Sequence, residues 1–254
     1  MELEELFSLK GKNAIVTGGA RGIGAGISKG LSIAGANVLA IGSSENTAFR
    51  AKQLAAQGYS ITGMQADISD TKILPDIFNE AAGMLGNVDI LVNNAAVQFR
   101  CPADEFPLEE LNRLINLNFT SSFLLCQMAA KHMKPKGYGK IINLASMNSF
   151  FGAYNVSVYS ASKGAVAQMT KAMSNEWASF GINVNAIAPG GFKTDMTKAV
   201  WSDDESSDFI VKRTPAGRWG DAGDIMGAAI YLASHASDYV CGVILPVDGG
   251  YLVR

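Results

Sequence analysis

Histidine is nearly absent from this chain: of 254 residues, only His132 and His235 carry an imidazole. Cysteine is almost as scarce, and Cys101, Cys126 and Cys241 are an odd set whose spacing fits no metal-ligand pattern. A zinc centre and a serine–histidine–aspartate triad are therefore poorly supplied. The cysteines read instead as core or interior thiols of a reducing compartment. Basic excess is lacking too. The formal net charge is -2, so no basic stripe is offered to a nucleic acid. No apolar run reaches the ~20 residues of a membrane span. The opening Met-Glu-Leu-Glu-Glu-Leu is acidic where a secretory leader is basic, which makes the cytoplasm the expected location. No Pro/Ser-rich linker, charge block or composition shift divides the chain, and it reads as one domain over 1–254.

What is present is an alternation. Short apolar, β-branched runs at Asn13–Thr17, Asn37–Ile41, Ser60–Ala66, Val88–Asn93, Lys140–Ala145, Asn183–Ala188 and Val243–Val247 read as seven strands buried on both faces. Helical patterns lie between them at Ile23–Ala34, Asn46–Gln57, Ile73–Leu85, Leu108–Lys134, Val158–Phe180 and Ala222–Ser234. Strict strand–helix alternation predicts an α/β, doubly wound (Rossmann-type) domain: a seven-stranded parallel sheet with helices on both faces and its ligand at the carboxyl ends of the strands. Residues 189–220 break the rhythm with Pro189-Gly190-Gly191, Trp201, a Ser/Asp cluster and Pro215, and read as a substrate-binding lid. His132, near a helix end, reads as a charged partner of the helix dipole.

The first strand runs into Thr17-Gly18-Gly-Ala-Arg21-Gly22-Ile23-Gly24. Glycines at 18, 22 and 24 permit a tight turn and close approach of a pyrophosphate, and a helix N-terminus there presents free N–H groups to it. The spacing differs from the commonest G-x-G-x-x-G fingerprint. An acidic residue that accepts the ribose hydroxyls of NAD belongs roughly 20 residues further on. That place holds Gly42, followed by Ser43 and Ser44. With no carboxylate to repel a 2′-phosphate, and with two hydroxyls and Arg21 to bind it, NADP(H) is favoured and NAD(H) is the alternative. Ser44 reads as a helix cap, placing Glu45 in the first helical turn. Later in the chain Tyr159 and Lys163 stand four apart on a helix, one above the other on the same face, 13 residues beyond Ser146. A phenol beside an ammonium ion is suited to moving a proton to or from an alcohol.

In order, Thr17–Gly24, Asp67 after the third strand, Asn93-Asn94-Ala95 after the fourth, Asn118, Ser146, Tyr159 with Lys163, and Pro189-Gly190 with Thr194 resemble the short-chain dehydrogenases/reductases over essentially the whole chain. The resemblance implies a catalytic set of Asn118, Ser146, Tyr159 and Lys163. Asn118 would fix, through its helix backbone, a water that relays protons to Lys163. It implies Asp67 and Ile68 flanking the adenine, Asn93, Asn94 and Ala95 at the ribose, and Pro189, Gly190 and Thr194 near the carboxamide. Ala96 departs from the family's usual glycine. Further segments, among them Val97-Gln-Phe-Arg100, Ile142–Asn148, Phe192–Lys198 and Lys212–Gly220, are similar to the hexonate branch, gluconate 5-dehydrogenase and 2-deoxygluconate 3-dehydrogenase. That implies a sugar-acid substrate, with Arg100, Asn148 and Lys193 as the residues that would meet it. Members often carry paired arginines where this chain has Phe99-Arg100. A 3-oxoacyl thioester and a bulkier ketone such as a sterol are the alternative substrates, the latter if Phe150, Phe151, Trp201 and Phe209 line the cleft. The resemblance also implies a homotetramer in which Leu108–Lys134 and Val158–Phe180 pair across a two-fold axis.

Overall fold

The computed structural model describes residues 2–254. All seven strands form: β1 (Asn13–Thr17), β2 (Asn37–Gly42), β3 (Ile61–Gln65), β4 (Ile90–Asn93), β5 (Gly139–Leu144), β6 (Ile182–Pro189) and β7 (Ile244–Val247). They pair in parallel in the order β3-β2-β1-β4-β5-β6-β7. Val16 faces Ala40 on one side and Val92 on the other. The chain leaves β1 toward β2 and β3, then returns to lay β4 on the opposite side. Connections after β1 and β4 therefore diverge and open a crevice at the carboxyl edge.

The helices are α1 (Leu3–Phe7), α2 (Gly22–Ile33), α3 (Asn46–Ala56), α4 (Leu74–Leu85), α5 (Leu108–Ile115), α6 (Ser121–Met133), α7 (Ser157–Trp177), α8 (Lys198–Trp201), α9 (Asp204–Arg213) and α10 (Met226–Ala233). Alternate strand residues feed two cores. Ile15, Leu39 and Leu91 pack with Leu125, Met133, Val166 and Met173 of α6 and α7. Ala14, Val16 and Val38 pack on the other face with Ile27, Leu31, Ala229 and Leu232 of α2 and α10.

Several sequence expectations change. Continuous burial holds for β4, β5 and β6, whereas β3 and β7, at the sheet's edges, are only partly covered. The single helix expected over Leu108–Lys134 contains a wider π turn at Asn116–Thr120. The interval 189–220 is no structureless loop: α8 and α9 occupy it, the latter started by Asp203, whose carboxylate accepts from Ser206 N–H at 2.9 Å. Trp201 Nε1 donates to Thr194 O and Trp219 Nε1 to Ser207 Oγ, pinning the segment to itself. α3 begins at Asn46 with Glu45 flanking it, although the Ser44 hydroxyl does accept from Asn46 N–H. His132 packs edge-on to Phe78, and burial, with Lys136 nearby, lowers its pKa, so it makes no charged helix cap. Cys126 is a core thiol, but Cys241 is exposed.

Candidate active site

A cleft of about 510 Å³ runs along the carboxyl edge of the sheet, between the glycine turn after β1 and the ends of β4, β5 and β6. Gly18 and Gly22 have positive φ (64° and 51°), a backbone that side chains rarely tolerate. A Cβ on Gly18 would meet Asn94 Nδ2 at 2.8 Å, and one on Gly24 would strike the Gly18 carbonyl. The turn is held from behind. Thr17 Oγ1 accepts from the N–H groups of Asn94 and Ala95 at 3.0 Å each, and Asn94 Nδ2 donates to Thr17 O at 2.8 Å. α2 starts at Gly22, so its open N–H groups face the cleft from the first turn. The charged lining side chains are Arg21, Arg50, Arg113 and Lys163 against Asp67 and Asp195. Four cations to two anions make this wall basic in a chain of net charge -2. A bare backbone turn at a helix N-terminus, in a cationic cleft, fits a dinucleotide's phosphates.

Ser146, Tyr159 and Lys163 come together in this cleft. β5 ends at Leu144, and Ser146 follows in extended backbone, its Oγ accepting from Asn148 N–H at 3.1 Å, in the same cleft as the Tyr159 phenol. One turn along α7, Lys163 is 3% exposed, and its Nζ donates to Leu144 O at 2.6 Å. Ser149 joins the two sides by accepting from Ser146 N–H and donating to Lys163 O at 2.7 Å. Burial raises the Tyr159 pKa, opposed by the Ser146 hydroxyl, so the phenol is protonated at neutral pH. Burial brings the Lys163 ammonium down to about 8. With Lys163 Nζ 5.8 Å from the ring centroid, the lysine alone does not outweigh the phenol's desolvation. Acidifying this tyrosine takes a second positive charge, such as an oxidised nicotinamide ring.

Among the other anticipated residues, Ile23, Ser43, Ser44, Asp67, Ile68, Ala95, Ala96, Pro189, Gly190 and Thr194 line the cleft. Thr17 does not; it lies behind the wall and braces it. Asn93 also turns inward, donating to Asn143 Oδ1 at 2.9 Å, and its neighbour Asn94 takes the cleft side. Asn118 is buried in the π turn. Its amide oxygen accepts from Val97 N–H and its amide nitrogen donates to Val97 O, both at 2.9 Å. None of the three anticipated substrate residues lines the cleft. After Gln98 the chain turns away as Phe99 packs edge-on to Phe106, leaving Arg100 exposed. Asn148 is buried against Ser160, and Lys193 is exposed with its ammonium over Trp201. Thr47, Arg50, Gln98, Arg113, Met196 and Thr197 line it without having been anticipated. For Arg50 the one available signal was its place three residues beyond Thr47, on the same helix face.

The chain matches the short chain dehydrogenase family over residues 12–205. It is 47% identical over 254 residues to 2-dehydro-3-deoxy-D-gluconate 5-dehydrogenase of Bacillus subtilis (strain 168), with 99% of both chains covered. It is 39% identical to gluconate 5-dehydrogenase of Gluconobacter oxydans (strain 621H), over 100% of this chain and 99% of the relative. A solved gluconate 5-dehydrogenase from Burkholderia cenocepacia J2315, in complex with NADP and tartrate, superposes with a TM-score of 0.95 at 38% identity, both chains covered in full. Matched over most of its length and aligned end to end with these relatives, the chain belongs to the short-chain dehydrogenase/reductase family of NAD(P)-dependent oxidoreductases.

Proposed function

We propose that this enzyme transfers a hydride between NADP(H) and a secondary alcohol or ketone of a sugar acid, of the gluconate/5-ketogluconate or 2-deoxygluconate type. The observation that carries the reading is the Ser146–Tyr159–Lys163 group at the end of β5, inside a cationic cleft floored by a bare glycine turn. The relatives whose names specify gluconate and 2-dehydro-3-deoxy-D-gluconate support the substrate class. NADP(H) over NAD(H) is supported by the absence of a carboxylate at Gly42-Ser43-Ser44 and by the NADP bound to the Burkholderia relative.

When bound, the nicotinamide supplies the hydride acceptor or donor. In the reductive direction Tyr159 donates its phenolic proton to the substrate oxygen, and Ser146 donates a hydrogen bond to the same oxygen to hold it in line. Burial keeps the phenol protonated at neutral pH, the form this step requires. Lys163, charged below about pH 8, steadies the phenolate left behind and would be a donor to the ribose of a bound nicotinamide. Asn118 spends its side chain on Val97, so its role is positional, with its backbone in the π turn holding a water that passes protons to Lys163. The segment 189–220 closes over the cleft, to which it contributes Thr194, Asp195, Met196 and Thr197. Gln98, the last lining residue after β4, offers an amide to the substrate hydroxyls. Arg100 and Lys193 keep at most an outer role in attracting a carboxylate. The enzyme works in the cytoplasm and as a homotetramer, the assembly being supported by exposed apolar residues such as Leu108 and Phe123 on the helices that would pair.

Phe150, Phe151, Trp201 and Phe209 do not line the cleft, which removes the sequence argument for a sterol-sized substrate. The test is a panel of gluconate, 2-deoxygluconate, an acetoacetyl thioester and a hydroxysteroid, each with NADP(H) and NAD(H), beside light scattering for the assembly. Turnover confined to the thioester or the steroid would overturn the sugar-acid reading.

A further inference from the structure

The sequence points a cofactor 2′-phosphate to Arg21, Ser43 and Ser44, but the structure gives Arg21 another partner. Arg21 NH1 lies 3.9 Å from Asp195 Oδ2, across the cleft mouth. Its charge is shared with an acidic residue of the 189–220 segment. A different cation lines the same cleft. Arg50 projects from α3, half-buried, and forms no ion pair among the described residues. Its position is set by Thr47, one turn earlier on the same helix face and 4% exposed. Thr47 sits directly beneath the end of β2: a Cβ on Gly42 would meet its Oγ1 at 2.9 Å, and its N–H bonds to Ser44 O. Arg50 therefore lines the same cleft as the recess of Gly42, Ser43, Ser44 and Thr47, one helical turn from Thr47, at the strand end where a ribose 2′-substituent belongs. Of the residues of opposite sign nearby, Glu45 is exposed and does not line the cleft, while Asp67, two residues beyond the Gln65 that pairs with Gly42, lines it without forming an ion pair to Arg50.

We infer that Arg50 is the residue that selects a 2′-phosphorylated ribose, with the Ser43, Ser44 and Thr47 hydroxyls as its neutral partners and Arg21 acting mainly as a latch to Asp195. A phosphate monoester is close to a dianion at neutral pH and prefers the planar fork of a guanidinium. A half-buried guanidinium with no ion pair is more desolvated and better fixed for one than Arg21, whose side chain is largely exposed and faces Asp195 at 3.9 Å. This inference rests on reading the cleft as an NADP(H) site, and it names the residue that makes it one.

The test is calorimetric titration of 2′,5′-ADP and of 5′-ADP into the wild type, Arg50→Gln, Arg50→Lys and Arg21→Gln, without substrate or turnover. Arg50→Gln is expected to weaken 2′,5′-ADP by about 10- to 100-fold, the range of a charged hydrogen bond, and 5′-ADP by less than about twofold. Arg50→Lys, which keeps the charge and the aliphatic stem, is expected to lose less than Arg50→Gln, and Arg21→Gln less again. Unchanged 2′,5′-ADP binding in Arg50→Gln, equal loss for both nucleotides, or a larger loss in Arg21→Gln would overturn the inference while leaving NADP(H) in place. A wild type that binds 5′-ADP as tightly as 2′,5′-ADP would overturn the NADP(H) reading and this inference together.

Discussion

A buried lysine stands at each end of strand β5, Lys140 in the strand itself and Lys163 on α7 beside its carboxyl end, and the two are treated differently. Lys140, near its start, is 1% exposed and donates to Asp238 Oδ1 at 2.8 Å, with Ser237 Oγ at 3.5 Å. Burial lowers its pKa, and Asp238 works against that loss. Asp238 in turn is kept low: burial would raise it, but hydrogen bonds from Lys140 and His235 prevail. Lys163, beside the strand's end, is equally buried, yet it has only the Leu144 carbonyl and, among the described residues, no carboxylate. Its pKa falls to about 8 with nothing to hold it up. At the end remote from the cleft the charge is neutralised and serves the fold. At the cleft end it is left uncompensated, available to an oxygen that acquires negative charge during reaction.

The largest way to break this contrast is at the group the free cation serves. Tyr159→Phe should reduce turnover by about 10³-fold or more, because the proton donor is removed. 2′,5′-ADP titration should move by less than about twofold. Normal turnover in this variant would remove Tyr159 from the chemistry.

Lys163→Met should lower kcat by about 10²-fold, the scale of losing one preorganised charge in a water-poor site. It should also change how stability depends on pH. The Lys163 pKa drops on folding from 10.5 to about 8, so between those values the unfolded chain holds a proton that the folded chain has released. Stability therefore rises with pH across that window, and the penalty, at most about 3 kcal/mol, is fully present below pH 8. Lys163→Met lacks this contribution, and Lys140 is common to both proteins. Urea unfolding at pH 7 and pH 10 should show the wild type gaining on the variant as pH rises. A constant difference would mean that Lys163 is not a desolvated cation.

At the other end, Asp238→Asn leaves Lys140 buried without its counter-charge. The cost should be about 1–3 kcal/mol of stability, below the 3–5 of a fully buried pair, because the Asp238 side chain is 56% exposed. kcat/KM should stay within about twofold. Denaturant unfolding and steady-state rates on the same preparation check both halves, and a large loss of turnover would erase the distinction between the two ends. Arg100→Met should do least, less than about threefold in kcat/KM for a sugar acid, an exposed charge being worth little. A tenfold loss for the acid, absent for a neutral polyol, would return Arg100 to carboxylate recognition.

The strands, the glycine turn and the Ser146–Tyr159–Lys163 spacing were legible because each depends on local pattern: apolar runs, positive φ at Gly18 and Gly22, a four-residue helix interval. What was not legible depends on partners distant in sequence. Asn93 and Asn94 point to opposite sides of β4, and Asn143 on β5 decides which of them turns inward. The π turn around Asn118 carries no proline or glycine to announce it. It is a backbone feature, closed by Ser121 N–H donating to Asn116 O, and the Asn118 side chain it carries is fixed by Val97, 21 residues earlier. Arg100 has the right distance from β4 to meet a substrate, but the packing of Phe99 on Phe106 turns the chain outward. Arg50 was passed over because its role depends on Thr47 lying under Gly42, a contact between a helix face and a strand end.

That Lys163, and not Lys140, is the working cation is tested most directly by the pH profile of kcat for keto-acid reduction with NADPH, from pH 6 to 10, on the wild type and on Asp238→Asn. The expected result is one descending step near pH 8, where the Lys163 ammonium loses its proton, at the same position in both proteins. A rate that stays level to pH 10, or a step that moves when Asp238 is changed, would contradict it.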